Sequence, residues 1–143
     1  MRTLIPSVVL LALVFLAGCG GASDKIVEVT GKVMHNGKPV SGLVVSFVPQ
    51  TKNTSGASSG TTDQNGEFKL TVFNTGQSGA VAGPNKVWVS LPRKPPVKRA
   101  KGEPAPEIEI PADMAEILEK YGSLDKSNLT VEANGSPVTL TLD

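Results

Sequence analysis

From Ile26 to Met34 the chain alternates, with Val27, Val29, Gly31 and Val33 at one parity and Glu28, Thr30 and Lys32 at the other. Period two is the mark of a strand buried on one face. Asn36-Gly37 follows, a dipeptide whose two residues accept positive φ and so favour a tight hairpin turn. Leu43, Val45 and Phe47 resume the alternation until Pro49 ends the second strand. Thr51 to Thr62 is small and polar throughout and predicts a mobile loop. The Asp63-Gln64-Asn65-Gly66 turn then leads into Phe68, Leu70 and Val72 on one face of a third strand. Lys86 to Leu91 forms a fourth, with Val87, Val89 and Leu91 on one side and Trp88 on the other.

Only Ala112 to Tyr121 changes period. Pro111 stands before it, Asp113 and Glu116 lie in its early turns, and Gly122 can close it. Met114, Ile117, Leu118 and Tyr121 share one helical face, which is expected to pack on the sheet; Trp88 either lies against this helix, the favoured reading, or is exposed. Leu129 and Val131, then Val138, Leu140 and Leu142, give two last strands around Asn134-Gly135. At least six short strands with one helix on a crossover predict an all-β fold, an antiparallel β-sandwich of two sheets.

A different pattern opens the chain. After Arg2, Val8 to Ala17 is an unbroken run of ten apolar residues ending in small ones, the layout of a secretory signal peptide. A membrane span needs roughly 20 apolar residues, and Pro6, Ser7, Gly20, Gly21, Ser23 and Asp24 bracket this run too closely. Leu16-Ala17-Gly18-Cys19 closes it and resembles the bacterial lipobox, in which the cysteine thiol receives a diacylglycerol and the chain is cut just before it. The expected division is a signal peptide over 1–18, a lipidated tether over 19–25 and one β-sandwich domain over 26–143. Three acyl chains on Cys19 exceed the two signals that stable anchoring requires. Gly20 after the cysteine resembles lipoproteins passed on to an outer membrane, so the expected location is the cell envelope.

Composition narrows the function classes. Removing residues 1–18 leaves 125 residues with thirteen basic and thirteen acidic side chains, a balance that argues against nucleic acid as a partner. Cys19 is the sole cysteine, so its lipidation leaves no disulfide and no thiolate metal site. The one concentration of charge is Pro92 to Pro106, where Arg93, Lys94, Lys98, Arg99 and Lys101 alternate with five prolines. Charge and proline keep such a segment extended and solvated, and its five cations are candidates for binding an anionic surface or polysaccharide.

Several motifs together resemble a known domain. Val29-Thr30-Gly31-Lys32-Val33, Asn36-Gly37-Lys38-Pro39-Val40, Gly42 to Pro49 and Thr62-Asp63-Gln64-Asn65-Gly66-Glu67-Phe68 resemble the carboxypeptidase regulatory-like domain, a transthyretin-like β-sandwich. Gly79 to Val87, Lys120-Tyr121 and Ser127 to Val131 are similar to small lipoproteins abundant in planctomycete-type bacteria. The resemblance implies about seven strands and no established catalytic residues. The family more often runs from Ile-Pro almost directly to Lys-Tyr, so Met114 to Glu119 is an addition it does not explain.

Candidate chemistry is sparse. Asp63, Asn65 and Glu67 offer oxygens at alternate positions, but the twelfth position of a calcium loop would be Asn74, so a structural turn is expected. His35 is the only histidine and is expected to be an exposed turn residue beside Asn36-Gly37. No Ser lies in a Gly-x-Ser-x-Gly context. The expectation is a membrane-anchored, non-catalytic binding or structural module without cofactor, partnered by the membrane and by an envelope protein or polysaccharide. The alternatives are a carrier of a small hydrophobic ligand and an envelope hydrolase accessory domain, the latter requiring His35 to meet acids from distant loops.

Overall fold

The computed structural model describes residues 23–94, 102, 104 and 109–143. In chain order its strands are β1 (Ile26–Val27), β2 (Thr30–His35), β3 (Lys38–Pro39), β4 (Val44–Pro49), β5 (Ser58–Thr61) and β6 (Glu67–Lys69). They continue as β7 (Thr71–Val72), β8 (Ala80–Val81), β9 (Gly83–Ser90), β10 (Leu129–Ala133) and β11 (Val138–Thr141), with helix α1 (Ala112–Tyr121) between β9 and β10. One sheet has the order β10-β9-β4-β5-β7, antiparallel throughout. In the other, β2 lies beside β11 on one edge and, in succession, β6 and β3 on the other. The alternating residues point inward as their parity requires, and Val33, Val45, Phe47, Phe68, Val87 and Val89 are buried. The ring of Phe47 on β4 meets that of Phe68 on β6 at 6.4 Å and 53°, which joins the two sheets into an all-β sandwich.

The eleven strands form eight runs, one more than the seven expected, because three runs each serve two sheets. β1 and β8 form a separate two-stranded ribbon, so the chain changes sheet between β1 and β2, between β6 and β7 at Leu70, and between β8 and β9 at Ala82. These breaks satisfy one another: the Leu70 amide donates to the Val29 carbonyl (3.0 Å), and the Gly79 amide donates to the Leu70 carbonyl (2.7 Å). Gly79 sits at φ +117°, and a Cβ there would overlap the Val27 carbonyl, so only glycine fits. The third bend is held by buried Asn85, whose side-chain amide donates to the Val81 and Gly83 carbonyls at 2.9 Å each.

Two elements differ from expectation. The second half of the expected loop Thr51 to Thr62 is β5, paired with both β4 and β7. Ser-Ser-Gly-Thr has no apolar alternation, and it is strand because neighbouring backbones supply its ladder. Gly60 lies so close to Lys69 that a Cβ would overlap its carbonyl. The second difference is direction: β11 pairs with β2 in parallel, Leu140 opposite Val33. Asn134-Gly135 does not close a hairpin; it carries the chain from β10 in one sheet to β11 in the other, so no tight turn dictates the direction.

Helix α1 has the expected limits. Ile117 and Tyr121 are buried, with Met114 and Leu118 packed against the same core, and the Gly122 amide donates to the Leu118 carbonyl at 2.9 Å. It rides on the connection between β9 and β10, antiparallel neighbours in the same sheet. Among the described residues no helix is long and apolar enough to cross a membrane.

Candidate functional site

Of the expected site residues, Arg93 and Lys94 are exposed just beyond the end of β9. Lys98, Arg99 and Lys101, and the lipobox residues Leu16, Ala17, Gly18 and Cys19, lie outside the described residues.

The chain just ahead of β1 is held through Asp24. Its Oδ2 accepts from the Thr54 amide (2.7 Å), the Ser55 amide (2.6 Å) and the Thr54 hydroxyl (3.0 Å). One residue on, the Lys25 carbonyl accepts from the Ala82 amide at 2.8 Å, and β1 then pairs with β8. The chain is therefore clasped to two loops before its first strand begins. Hydrogen bonds from the Ser55 hydroxyl, the Thr54 amide, the Ser55 amide and the Thr54 hydroxyl lower the Asp24 carboxyl from 3.8 to about 2. Because the folded value lies below the unfolded one, the clasp contributes fully above pH 3.8 and is lost as pH falls through about 2. The Thr54 and Ser55 amide shifts should accordingly titrate with a midpoint near pH 2 in NMR spectra, and Asp24→Asn should flatten that transition. A midpoint near 3.8 would mean that no clasp forms.

Next to the clasp lies an apolar groove of about 310 Å³ on the outer face of the five-stranded sheet, lined by Val48, Ala57, Phe73, Trp88 and Leu124 with serines at its margin. Trp88 opposes Ser46 on β4 and is half-buried here. This corrects the expectation that α1 covers it: the helix places Ile117 and Tyr121 in the core, and no residue of α1 lines the groove. Phe73 is 84 % exposed, and its amide donates to the Ala57 carbonyl at 2.9 Å, two residues from the Ser55 amide that binds Asp24.

The second cluster surrounds His35, which is only 8 % exposed, not an open turn residue. It shares parity with Val29 and Val33, so its side chain enters the core edge between β11 and α1. Nδ1 faces the Leu142 carbonyl, which can only accept, so Nδ1 carries the proton and donates to it. Nε2 is then an acceptor and takes the Asn36 side-chain amide at 3.0 Å. Glu116 Oε2 stands 4.0 Å from Nε2, and Asp143 Oδ1 3.8 Å from Nδ1. Asp143 is held separately: its Oδ1 accepts from the Asn36 amide (2.8 Å) and its main-chain oxygen from the Tyr121 hydroxyl (2.9 Å). Three elements, the β2–β3 turn, α1 and the chain after β11, thus converge on one imidazole. Both ring nitrogens are occupied by contacts that hold Leu142 and Asn36 in place.

Residues 29–88 match the family model for a domain of unknown function (DUF6795). No curated protein and no solved structure matches the chain. The matched span runs from Val29 to Trp88, so it includes most of the groove and His35 but not Asp24, α1, β10 or β11.

Asp63 is a turn residue. Its Oδ1 accepts from the Asn65 amide (2.8 Å) and the Glu67 amide (2.9 Å), closing the tip that carries Gly66 at φ +73°. Among the described residues no three of His, Cys, Asp and Glu are grouped to hold a metal ion. The sequence reading missed the Asp24 clasp because an acid in a tether reads only as solvated charge. His35 had a signal in its parity with Val33, masked by the adjacent Asn-Gly turn.

Proposed function

We propose that the chain is a bacterial lipoprotein, anchored through acyl chains on Cys19, whose β-sandwich works as a non-catalytic binding or structural module in the cell envelope. The observation that carries this reading is Leu16-Ala17-Gly18-Cys19 at the end of the ten-residue apolar run. The spacing supports it: the first clasped residue, Asp24, comes five positions after Cys19, so a tether of at most about 18 Å connects lipid to domain. The resemblance to carboxypeptidase regulatory-like lipoproteins points the same way, and Gly20 favours an outer membrane. The contacts of His35 support a structural role for the only imidazole, since proton transfer at Nε2 would first require Asn36 to leave.

Labelling cells with a radioactive fatty acid tests the anchor. Wild type should incorporate label, whereas Cys19→Ser should carry none. Equal labelling of the two would remove the basis for the reading.

A further inference from the structure

We infer that the groove of Val48, Ala57, Phe73, Trp88 and Leu124 is a membrane-contact face, pressed against the lipid surface to which Cys19 tethers the chain. The inference rests on the anchored reading above and adds an orientation to it.

Three observations identify a lipid surface as the occupant. The first is position. Asp24 is fixed to Thr54 and Ser55, and Ala57, two residues further, lies at most about 7 Å along the chain. Ala57 in turn carries Phe73 through its carbonyl. A lipidated Cys19 can lie no more than about 18 Å from Asp24, so the bilayer surface is brought to the groove end of the sandwich. The clasp leaves no slack inside the domain, because Lys25 and β1 are hydrogen-bonded immediately after it.

The second is chemistry. Phe73 projects 84 % exposed from the end of β7, and Leu124 is 36 % exposed beside the half-buried indole of Trp88. An aromatic pair with aliphatic neighbours suits the interface, where amphipathic rings sit at headgroup level. The third is charge. Lys25 adjoins Asp24, Lys52 lies in the loop that receives the clasp, and Lys86 opposes Val48 in the ladder. Asp125 beside Leu124, Asp24 in the clasp and Glu132, which shares the outer face of the sheet with Lys86, are the acidic neighbours. Lysines beside an exposed apolar patch suit an interfacial binding face.

Trp88 is the only tryptophan, so it reports directly on this face. The lipidated full chain is reconstituted into vesicles of phosphatidylcholine and phosphatidylglycerol, with plain or brominated acyl chains, and the fatty-acid label on Cys19 is measured in parallel. Bromine should cause about a twofold loss of Trp88 emission, since an interfacial face sits roughly 5–10 Å into the headgroup and acyl boundary. Phe73→Asp, at a side chain too exposed to affect folding, should abolish most of that loss with the label unchanged. Label present with equal emission in both vesicles overturns the inference while leaving the anchor intact. Label absent from wild type overturns the anchor, and the inference with it. Emission insensitive to bromine in a protein that sediments as a dimer assigns the groove to a second copy and also overturns the inference.

Discussion

Replacing Phe47 by alanine is expected to lower the stability of the sandwich by about 3–5 kcal/mol. Phe47 is fully buried on β4, lies between Val87 and Ser58 in register, and is the five-stranded sheet's half of the aromatic pair with Phe68. Alanine removes the ring and leaves a cavity between two sheets whose strands are hydrogen-bonded to their own neighbours and cannot collapse to fill it. The chain contains its own control. Phe73 is the same residue type at 84 % exposure, and Phe73→Ala should change stability by no more than about 0.5 kcal/mol. Urea unfolding of the two variants, prepared in the Cys19→Ser background, would read the difference directly. Similar midpoints would mean that Phe47 and Phe68 do not bridge the sheets.

His35→Ala should be the most disruptive change at a polar position, costing about 2–4 kcal/mol through an unpaired buried carbonyl and a lost side chain. Leu142 is fully buried, and its carbonyl receives the His35 Nδ1–H. Its amide donates to the Met34 carbonyl at 2.8 Å, so the residue after β11 is pinned on both sides. β11 is an edge strand with four paired residues and a single neighbour, β2, so its ladder is supported from one side only. The effect should therefore be local before it is global. Amide exchange should accelerate at Val138 to Thr141 and stay slow at Val45 and Val87 in the other sheet. Exchange at β11 unchanged by the substitution would show that its ladder alone suffices. Asn36→Ala, which removes only the partner of Nε2, should have a smaller effect in the same direction.

The period of the pattern made most of the architecture legible. Val33, Val45, Phe47, Phe68, Val87 and Val89 all face inward, and α1 begins and ends where Pro111 and Gly122 predict. Asn36-Gly37 forms the expected turn, with φ of 47° and 74°. Elements without apolar alternation escaped. β5 exists because β4 and β7 flank it, and Gly60 belongs there because the backbone at Lys69 passes too close for a Cβ. At the candidate sites the same division holds. Leu16-Ala17-Gly18-Cys19, which resembles a lipobox, is contiguous and so visible in the sequence, whereas the Asp24 clasp joins residues about thirty positions apart, and the His35 cluster joins residues 107 apart. Trp88 lies on the face its parity predicts, but no residue of α1 lines the groove it opens into.

By itself, then, the chain determined which residues turn inward and where the helix lies, because each depends on neighbours within a few positions. Only the tertiary structure decided which sheet each segment joins, that β11 runs parallel to β2, that His35 is sealed against Leu142, and that Trp88 opens beside Phe73 near the Asp24 clasp. Those outcomes depend on backbone groups finding partners across the whole domain, and a local pattern of apolar and polar positions carries no record of which partner is reached.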